Sequence, residues 1–329
     1  MKIKIETPCR LHFGLIDLNG QLGRINGGLG VALEQPGWEV KGWITEKIGP
    51  KLSHSPSLIS VINKFDNYFK TKTNDFKLKI TKRIPQHIGL GSNTQFCLAI
   101  GTILAKIHNI ETSVVEIANV VKRGGTSGIG VAAFEKGGII LDGGHTFGPG
   151  KQTESFKPSS VSTAPPPPII FSHNPPKNWH FVLLTPRTEQ GAFGKKEIDL
   201  FSDNCPIPEK EVEKLSRLIL VKILPAIIEK DIQAFGEGLT EMQTNFTRFG
   251  MHRYKKGIVY DLLNYARNNQ GIFGSGISSF GPTVFALTDD EKKAEKIIRE
   301  VNDTFPKNEF DLILSSKVNT TGAKIEKMK

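Results

Sequence analysis

A chain of 329 residues with 38% hydrophobic content can build more than one core, and its length favours two domains. Lys and Arg total 43 against 33 Asp and Glu, a net charge of +10 spread along the chain without basic clusters interleaved with aromatics, so small anions rather than nucleic acid are the expected partners. No stretch has the roughly 18 apolar residues of a membrane span. Cys9, Cys97 and Cys205 are odd in number and lack metal-ligand spacing, which argues against a disulfide framework or zinc and for a cytoplasmic setting.

The first element in chain order is a strand at Lys2–Thr7, alternating in polarity and lacking a signal-peptide run. Pro8–Leu18 and Asn19–Gly30 then hold more glycine and polar positions than a simple turn needs. Arg10 and Arg24 offer guanidinium forks for phosphate or carboxylate, and His12 and Asp17 are candidate acids, bases or metal ligands. The same residues also read as a hairpin with surface charges and one satisfied histidine, and both readings stay open. Strands at Val31–Glu34 and Glu39–Ile44, a helix at Ser57–Lys70 and a strand at Phe76–Ile84 follow.

Ile84-Pro-Gln-His-Ile-Gly-Leu-Gly-Ser-Asn-Thr-Gln95 carries the strongest signal. It joins that strand to a helix at Asn93–Asn109, whose Phe96, Ile100, Ile103, Leu104 and Ile107 share one face. Gly89 and Gly91 allow a sharp turn with no Cβ in a ligand's way, and Leu90, Ser92, Asn93 and Thr94 complete a loop whose backbone N–H groups meet a positive helix end. That is an anion site, suited to phosphate or pyrophosphate. The plain alternative is a strand-to-helix turn with its own cap.

A helix at Thr112–Lys122 leads to a second glycine loop, Arg123-Gly-Gly-Thr-Ser-Gly-Ile-Gly130, with a basic residue, the pair Gly124–Gly125 and the hydroxyls of Thr126 and Ser127. A short helical run ends at Lys136, and the strand Gly137–Asp142 delivers Asp142-Gly-Gly-His145, where Asp142 and His145 are as readily structural as functional. Between Phe147 and Asn178 the composition turns to Pro, Ser, Lys and Thr, including Pro165–Pro168, which suits a connector. The expected organisation is an N-terminal domain over 1–155, a connector over 156–178 and a C-terminal domain over 179–329. In the last, a strand Trp179–Thr185 precedes helices Glu209–Ile228, Asp231–Phe249 and Lys256–Asn269. Strand Thr283–Leu287, helix Asp290–Val301, strand Asp311–Val318 and a solvated lysine-rich tail, Lys324–Lys329, complete it. The glycines of Gly271–Pro282, Gly274 and Gly276 among them, suggest close backbone approach to a ligand or a facing loop. The class is α+β.

These motifs resemble those of the galactokinase–homoserine kinase–mevalonate kinase–phosphomevalonate kinase (GHMP) superfamily. Pro85, Gly89, Leu90, Gly91 and Ser92 match its Pro-x-x-x-Gly-Leu-Gly-Ser-Ser motif, with Asn93 in place of the second Ser; Gly274–Leu287 is similar to its C-terminal glycine motif, and Ser127-Gly-Ile-Gly130 to its Ser-Gly-Ile-Asp loop. The resemblance implies a ribosomal-protein-like N-terminal domain, a ferredoxin-like C-terminal domain and a ligand between them. It also exposes a departure: the kinases' catalytic carboxylate falls at Gly130, and their acid–histidine pair at Leu15-Ile16. Ordinary ATP-dependent kinase activity is not expected.

One branch shares the combination. Arg10–Leu18, Gly27-Gly-Leu-Gly30, Phe134-Glu-Lys-Gly-Gly138, Asp142–His145 and Ser279-Phe-Gly-Pro-Thr283 closely resemble the β-ribofuranosylaminobenzene 5′-phosphate synthase family of tetrahydromethanopterin biosynthesis, with a departure at Thr126, where that family's pattern has Arg. The resemblance implies decarboxylating transfer of phosphoribose from phosphoribosyl pyrophosphate to 4-aminobenzoate or 4-hydroxybenzoate. It assigns Gly89–Thr94 to pyrophosphate, Arg123–Ser127 to phosphate, and Arg10 and Arg24 to the benzoate carboxylate or the 5′-phosphate. If that Arg binds a substrate anion, Arg123 or Lys122 must substitute for it, or the enzyme is a divergent relative. Mg²⁺ is expected on the pyrophosphate, with Ser92 or Asp17 completing its shell, and no organic cofactor. No membrane partner is expected, and a homodimer is left open. The rival readings are a superfamily small-molecule kinase with a carboxylate from elsewhere, such as Asp142, and a non-catalytic ligand-binding member.

Overall fold

The computed structural model describes residues 1–45, 55–188, 194–245 and 254–328. The N-terminal half contains β1 (Lys2–Glu6), β2 (Cys9–Asp17), β3 (Arg24–Leu33), β4 (Glu39–Ile44), α1 (Pro56–Phe69), β5 (Phe76–Lys82), α2 (Ser92–Ile107), α3 (Val114–Val120), α4 (Ile129–Glu135), β6 (Ile139–Asp142), β7 (His145–Thr146) and β8 (Ile169–His173). The remainder contains β9 (His180–Pro186), α5 (Lys195–Asn204), α6 (Glu209–Leu218), α7 (Leu224–Glu229), α8 (Ile232–Asn245), α9 (Ile258–Asn268), β10 (Gly274–Ile277), β11 (Val284–Thr288), α10 (Glu291–Thr304), β12 (Phe310–Lys317) and β13 (Lys324–Met328).

Three antiparallel sheets result. One runs β13-β1-β4-β5, and a second runs β2-β3-β6-β8 with β7 beside β3. The third runs β10-β11-β9-β12, and its β-α-β-β-α-β connectivity is the expected ferredoxin-like arrangement. Helix α2 is buried from Ser92 to Ala105 apart from its exposed or half-buried Asn93 and Thr94, because apolar residues occupy nearly every face. Phe13 of β2 ties the halves together: its ring lies 6.2 Å from Phe181 and 5.1 Å from Phe285 of the third sheet. Each such buried ring stabilises the junction by about 1.5–3 kcal/mol.

Several expectations need correction. The two glycine-rich segments around Asp17 pair as the hairpin left open above, but as long strands, β2 and β3, with a bulge between His12 and Gly14. Within the 156–178 connector a strand that was not expected, β8, pairs with β6. The lysine-rich tail is not loose either: β13 pairs with β1 from Lys2↔Met328 to Glu6↔Lys324, its side chains largely exposed while its backbone is satisfied. Glu209–Ile228 is interrupted by a π-turn at Ile219–Ile223, since Pro225 has no N–H and its ring crowds the carbonyl of Val221. Helix α5 was not expected at all. The last residues of the helix expected at Asp231–Phe249 lie outside the described residues.

Candidate active site

Between Lys82 and Ser92 the chain leaves β5, turns, and enters α2 through Gly91, whose φ of 76° is left-handed. No side chain caps this helix start, so the first-turn N–H groups of Ser92, Asn93 and Thr94 are not consumed by a cap. Neighbouring elements clamp the loop. Arg10 N–H donates to the Leu90 carbonyl at 3.2 Å, the Ser278 hydroxyl to Gly89 O at 2.7 Å, and the Thr283 hydroxyl to Ile88 O at 2.6 Å. The Arg10 guanidinium also donates to Gly89 O. Burial lowers the Arg10 pKa to about 10, which still leaves it cationic at neutral pH.

The second glycine loop faces the same cavity of about 460 Å³. Thr126 is buried and donates to the Lys157 carbonyl at 2.8 Å, so it serves the loop's contact with the proline-rich segment. Arg123 lines the cavity, and its Nε is buried without a hydrogen-bond partner. A guanidinium N–H left unmade in this way costs free energy that an anion would recover. Of the two candidates to replace the missing Arg, Arg123 is the one in the cavity.

Behind this loop runs a polar chain. The Ser127 hydroxyl donates to Asp142 Oδ2 at 3.0 Å, and His12 Nε2 lies 3.1 Å from Ser127 Oγ. Asp142 also accepts the N–H groups of Gly128 at 2.8 Å and Gly144 at 3.0 Å. Burial drives the His12 pKa down to about 3 and that of Asp142 up to about 6. His12 is therefore a neutral imidazole, and Ser127, already donating to the carboxylate, accepts from its Nε2–H. This arrangement fixes the loop.

The cavity thus gathers Arg10, His12, Gly89, Leu90, Gly91, Ser92, Asn93, Thr94, Arg123, Gly124, Thr126 and Ser127 from four elements. Gly125 is buried against Ser162 of the proline-rich segment, and Asp142 stands behind Ser127. The other expected site residues lie elsewhere. Asp17 Oδ1 accepts from Asn19 N–H at 2.8 Å and Gly20 N–H at 2.9 Å, forming a turn off the cavity. Arg24 is exposed and donates to the carbonyls of Gly143 at 3.0 Å and Gly144 at 2.8 Å. His145 bridges Pro165 O at 2.8 Å and Asn26. Gly274 and Gly276 admit α8: a Cβ on either would strike Gly236 or Gln243.

Of the two residues expected at magnesium, Ser92 or Asp17, only Ser92 lies in the cavity. Asp17 is committed to its turn, while the Ser92 hydroxyl donates to Ile84 O at 2.7 Å. Among the described residues no group of three His, Cys, Asp or Glu could hold a metal ion, and the three cysteines are free thiols. No helix of the described residues is long and apolar enough to cross a membrane. Sequence reasoning missed Glu197, Phe201 and Phe280, which also line the cavity. Glu197 and Phe201 are four apart, a spacing that marks one helix face once α5 is recognised.

Gly130 borders the cavity, and a Cβ there would lie 3.1 Å from Thr94 Cγ2. The position expected to hold a kinase carboxylate therefore sits directly beside the first glycine loop and is bare. Asp142 cannot replace it, being enclosed by Ser127, Gly128 and Gly144 and absent from the cavity wall.

Comparison with known proteins places the chain in a family. Residues 57–138 match the model of the GHMP kinases N terminal domain, and residues 223–307 that of the GHMP kinases C terminal domain. The chain is 40% identical to the β-ribofuranosylphenol 5′-phosphate synthase of Methanocaldococcus jannaschii over 98% of its length and 99% of that protein. It is 38% identical to the protein of the same name from Methanothermobacter thermautotrophicus, covering 88% of this chain and 90% of that one. The structure of a homoserine kinase from Cytophaga hutchinsonii superposes with a TM-score of 0.66 at 17% identity, covering 99% of this chain and 97% of the other, a likeness of fold.

Proposed function

Because the chain belongs to the β-ribofuranosylphenol 5′-phosphate synthase family within the GHMP kinase fold, we propose that it joins phosphoribosyl pyrophosphate to 4-hydroxybenzoate in methanopterin biosynthesis. Carbon dioxide and pyrophosphate are released. The product in the relatives' name is a phenol, which favours the hydroxy acid over 4-aminobenzoate as acceptor. The carrying observation is the pairing, in one cavity, of an uncapped helix start with an arginine whose buried Nε has no partner.

The α2 first turn receives the pyrophosphate, whose negative charge grows as the bond to ribose C1 breaks, so fixed N–H dipoles favour the transition state over the ground state. Arg10 adds positive charge beside that loop. Arg123 takes the 5′-phosphate. The carboxyl-bearing carbon of the acid then attacks C1, and loss of carbon dioxide restores the aromatic ring. Holding two reacting carbons together in a cleft is a positioning task that needs no carboxylate at residue 130. Magnesium enters this proposal as a companion of the pyrophosphate, without a role for Asp17.

Incubation with phosphoribosyl pyrophosphate and carboxyl-labelled 4-hydroxybenzoate tests the reading. Labelled carbon dioxide should appear only with both substrates present. Its absence, together with ATP-dependent phosphorylation of a sugar, amino acid or mevalonate, would favour a superfamily kinase instead.

A further inference from the structure

The cavity holds one acid among its described lining residues, Glu197, and neither the kinase motifs nor the glycine loops account for it. It lies on α5 one helical turn before Phe201, and both line the cavity. Phe201 stands edge-on to Phe280, with ring centroids 6.3 Å apart, and Leu15 joins them in the cavity wall. This apolar corner suits a flat aromatic ring. Glu197 Oε2 accepts from the Ser160 hydroxyl at 3.0 Å, and that bond leaves Oε1 without a role in it.

We propose that Glu197 is the residue that reads and activates the aromatic acceptor: its carboxylate accepts the hydrogen bond of the para hydroxyl while the ring rests on Leu15, Phe201 and Phe280. The inference rests on the proposed function and names the acceptor subsite within it. A carboxylate in a cavity built for polyanions is repelled by phosphate, pyrophosphate and benzoate carboxylate alike. The para hydroxyl is the acceptor's one neutral donor. It is also conjugated with the carbon that attacks ribose.

The step balances without a further reagent. As the carboxyl-bearing carbon bonds to C1, the C1–O bond to pyrophosphate breaks and the leaving group takes its electron pair. The phenolic proton passes to Glu197, so the ring is held as a neutral dienone rather than a cation. The C–C bond to the carboxylate then breaks, carbon dioxide departs, its electron pair restores the aromatic ring, and Glu197 returns the proton to the phenolic oxygen. Burial raises the Glu197 pKa from its ordinary value, opposed in part by the Ser160 hydrogen bond, which brings a carboxylate closer to the range useful for proton transfer. The other titratable side chains of the cavity are Arg10, His12, His87 and Arg123, and Lys195 and Lys196 precede Glu197 on α5.

The test compares wild type with Glu197→Gln, which keeps shape and the Ser160 contact but cannot take a proton, and with Glu197→Asp, which can. With 4-hydroxybenzoate, kcat/KM of the Gln variant should fall about 100-fold and lose the acid limb of its pH profile, while KM for phosphoribosyl pyrophosphate holds. The Asp variant should recover part of the rate together with that limb. A raised KM for phosphoribosyl pyrophosphate with the benzoate terms unchanged would assign Glu197 to the ribose and overturn the proposal. An unchanged pH profile in the Gln variant would do the same. If wild type releases no carbon dioxide from either benzoate, the acceptor itself is wrong and the assignment goes with it, an outcome visible before any variant is compared.

Discussion

Gly91 faces Arg10 so closely that a Cβ at residue 91 would lie 3.1 Å from Arg10 Cγ and 3.2 Å from its Nε. The loop's left-handed glycine and the strand's half-buried cation thus form one unit, each fixing where the other can be. Gly91→Ala should cost about 1–2 kcal/mol for the left-handed backbone. It should also push the guanidinium off the Gly89 carbonyl and raise KM for phosphoribosyl pyrophosphate. Thermal melts alongside steady-state kinetics separate the two effects, and a stability loss with unchanged KM would detach Arg10 from the substrate.

Arg123 offers the complementary case. With its Nε unpartnered, Arg123→Ala removes little from the folded state while deleting a charge-assisted contact to substrate. A loss of about 1.5–3 kcal/mol corresponds to a roughly 10- to 100-fold rise in KM for phosphoribosyl pyrophosphate with Tm nearly unchanged. Arg123→Lys should recover part of the affinity, since it keeps the charge and loses the fork. Equal KM values for the three proteins would place the phosphate elsewhere.

Arg24 should behave in the opposite way. Its guanidinium joins the carbonyls of Gly143 and Gly144, outside the cavity. A lysine cannot span both acceptors as a planar fork does, so Arg24→Lys should lower stability by about 1 kcal/mol, the scale of an ordinary hydrogen bond. Both substrate KM values should stay put. A change in either would return Arg24 to the site.

His12 and Asp142 pull stability in opposite directions as pH changes. His12 has a folded pKa of about 3 against an ordinary 6.5, so its contribution is whole above 6.5 and lost as pH falls toward 3. Asp142, raised from 3.8 to about 6, contributes fully below 3.8 and loses that contribution as pH rises through 6. Urea unfolding of wild type and His12→Asn at about pH 7.5, 6 and 4.5 should therefore show the wild-type advantage shrinking with acid. A constant difference would mean that His12 takes up a proton in the native state.

Local patterns carried much of this architecture. Alternation marks β1 and β5, helical spacing marks α2 and α10, and the glycines flanking Leu90 mark the anion loop. What escaped was set by distant partners. Arg24 has the chemistry of a substrate ligand, and only the arrival of Gly143 and Gly144 beside it makes it a structural clamp. Gly274 and Gly276 signal a close approach without naming what approaches, and α8 fills the space they leave. Glu197 carries no motif, and its place in the cavity depends on where α5 docks. Asp142 was recognised as a polar strand end, but no spacing announces that Ser127 and His12 will line up on it.

The pairing of Lys2 with Met328 has a consequence for how the molecule is made. During synthesis β1 emerges before its partners, and β4 can join one of its edges, with β5 on β4, while translation continues. The other edge stays bare until β13 leaves the ribosome, because local contacts can form during translation whereas this one spans nearly the whole chain. An unpaired edge is a template for strands of other molecules, so the interval before β13 docks is the nascent chain's exposure to misassembly. Closing the first sheet therefore waits on a partner more than 300 residues away along the chain.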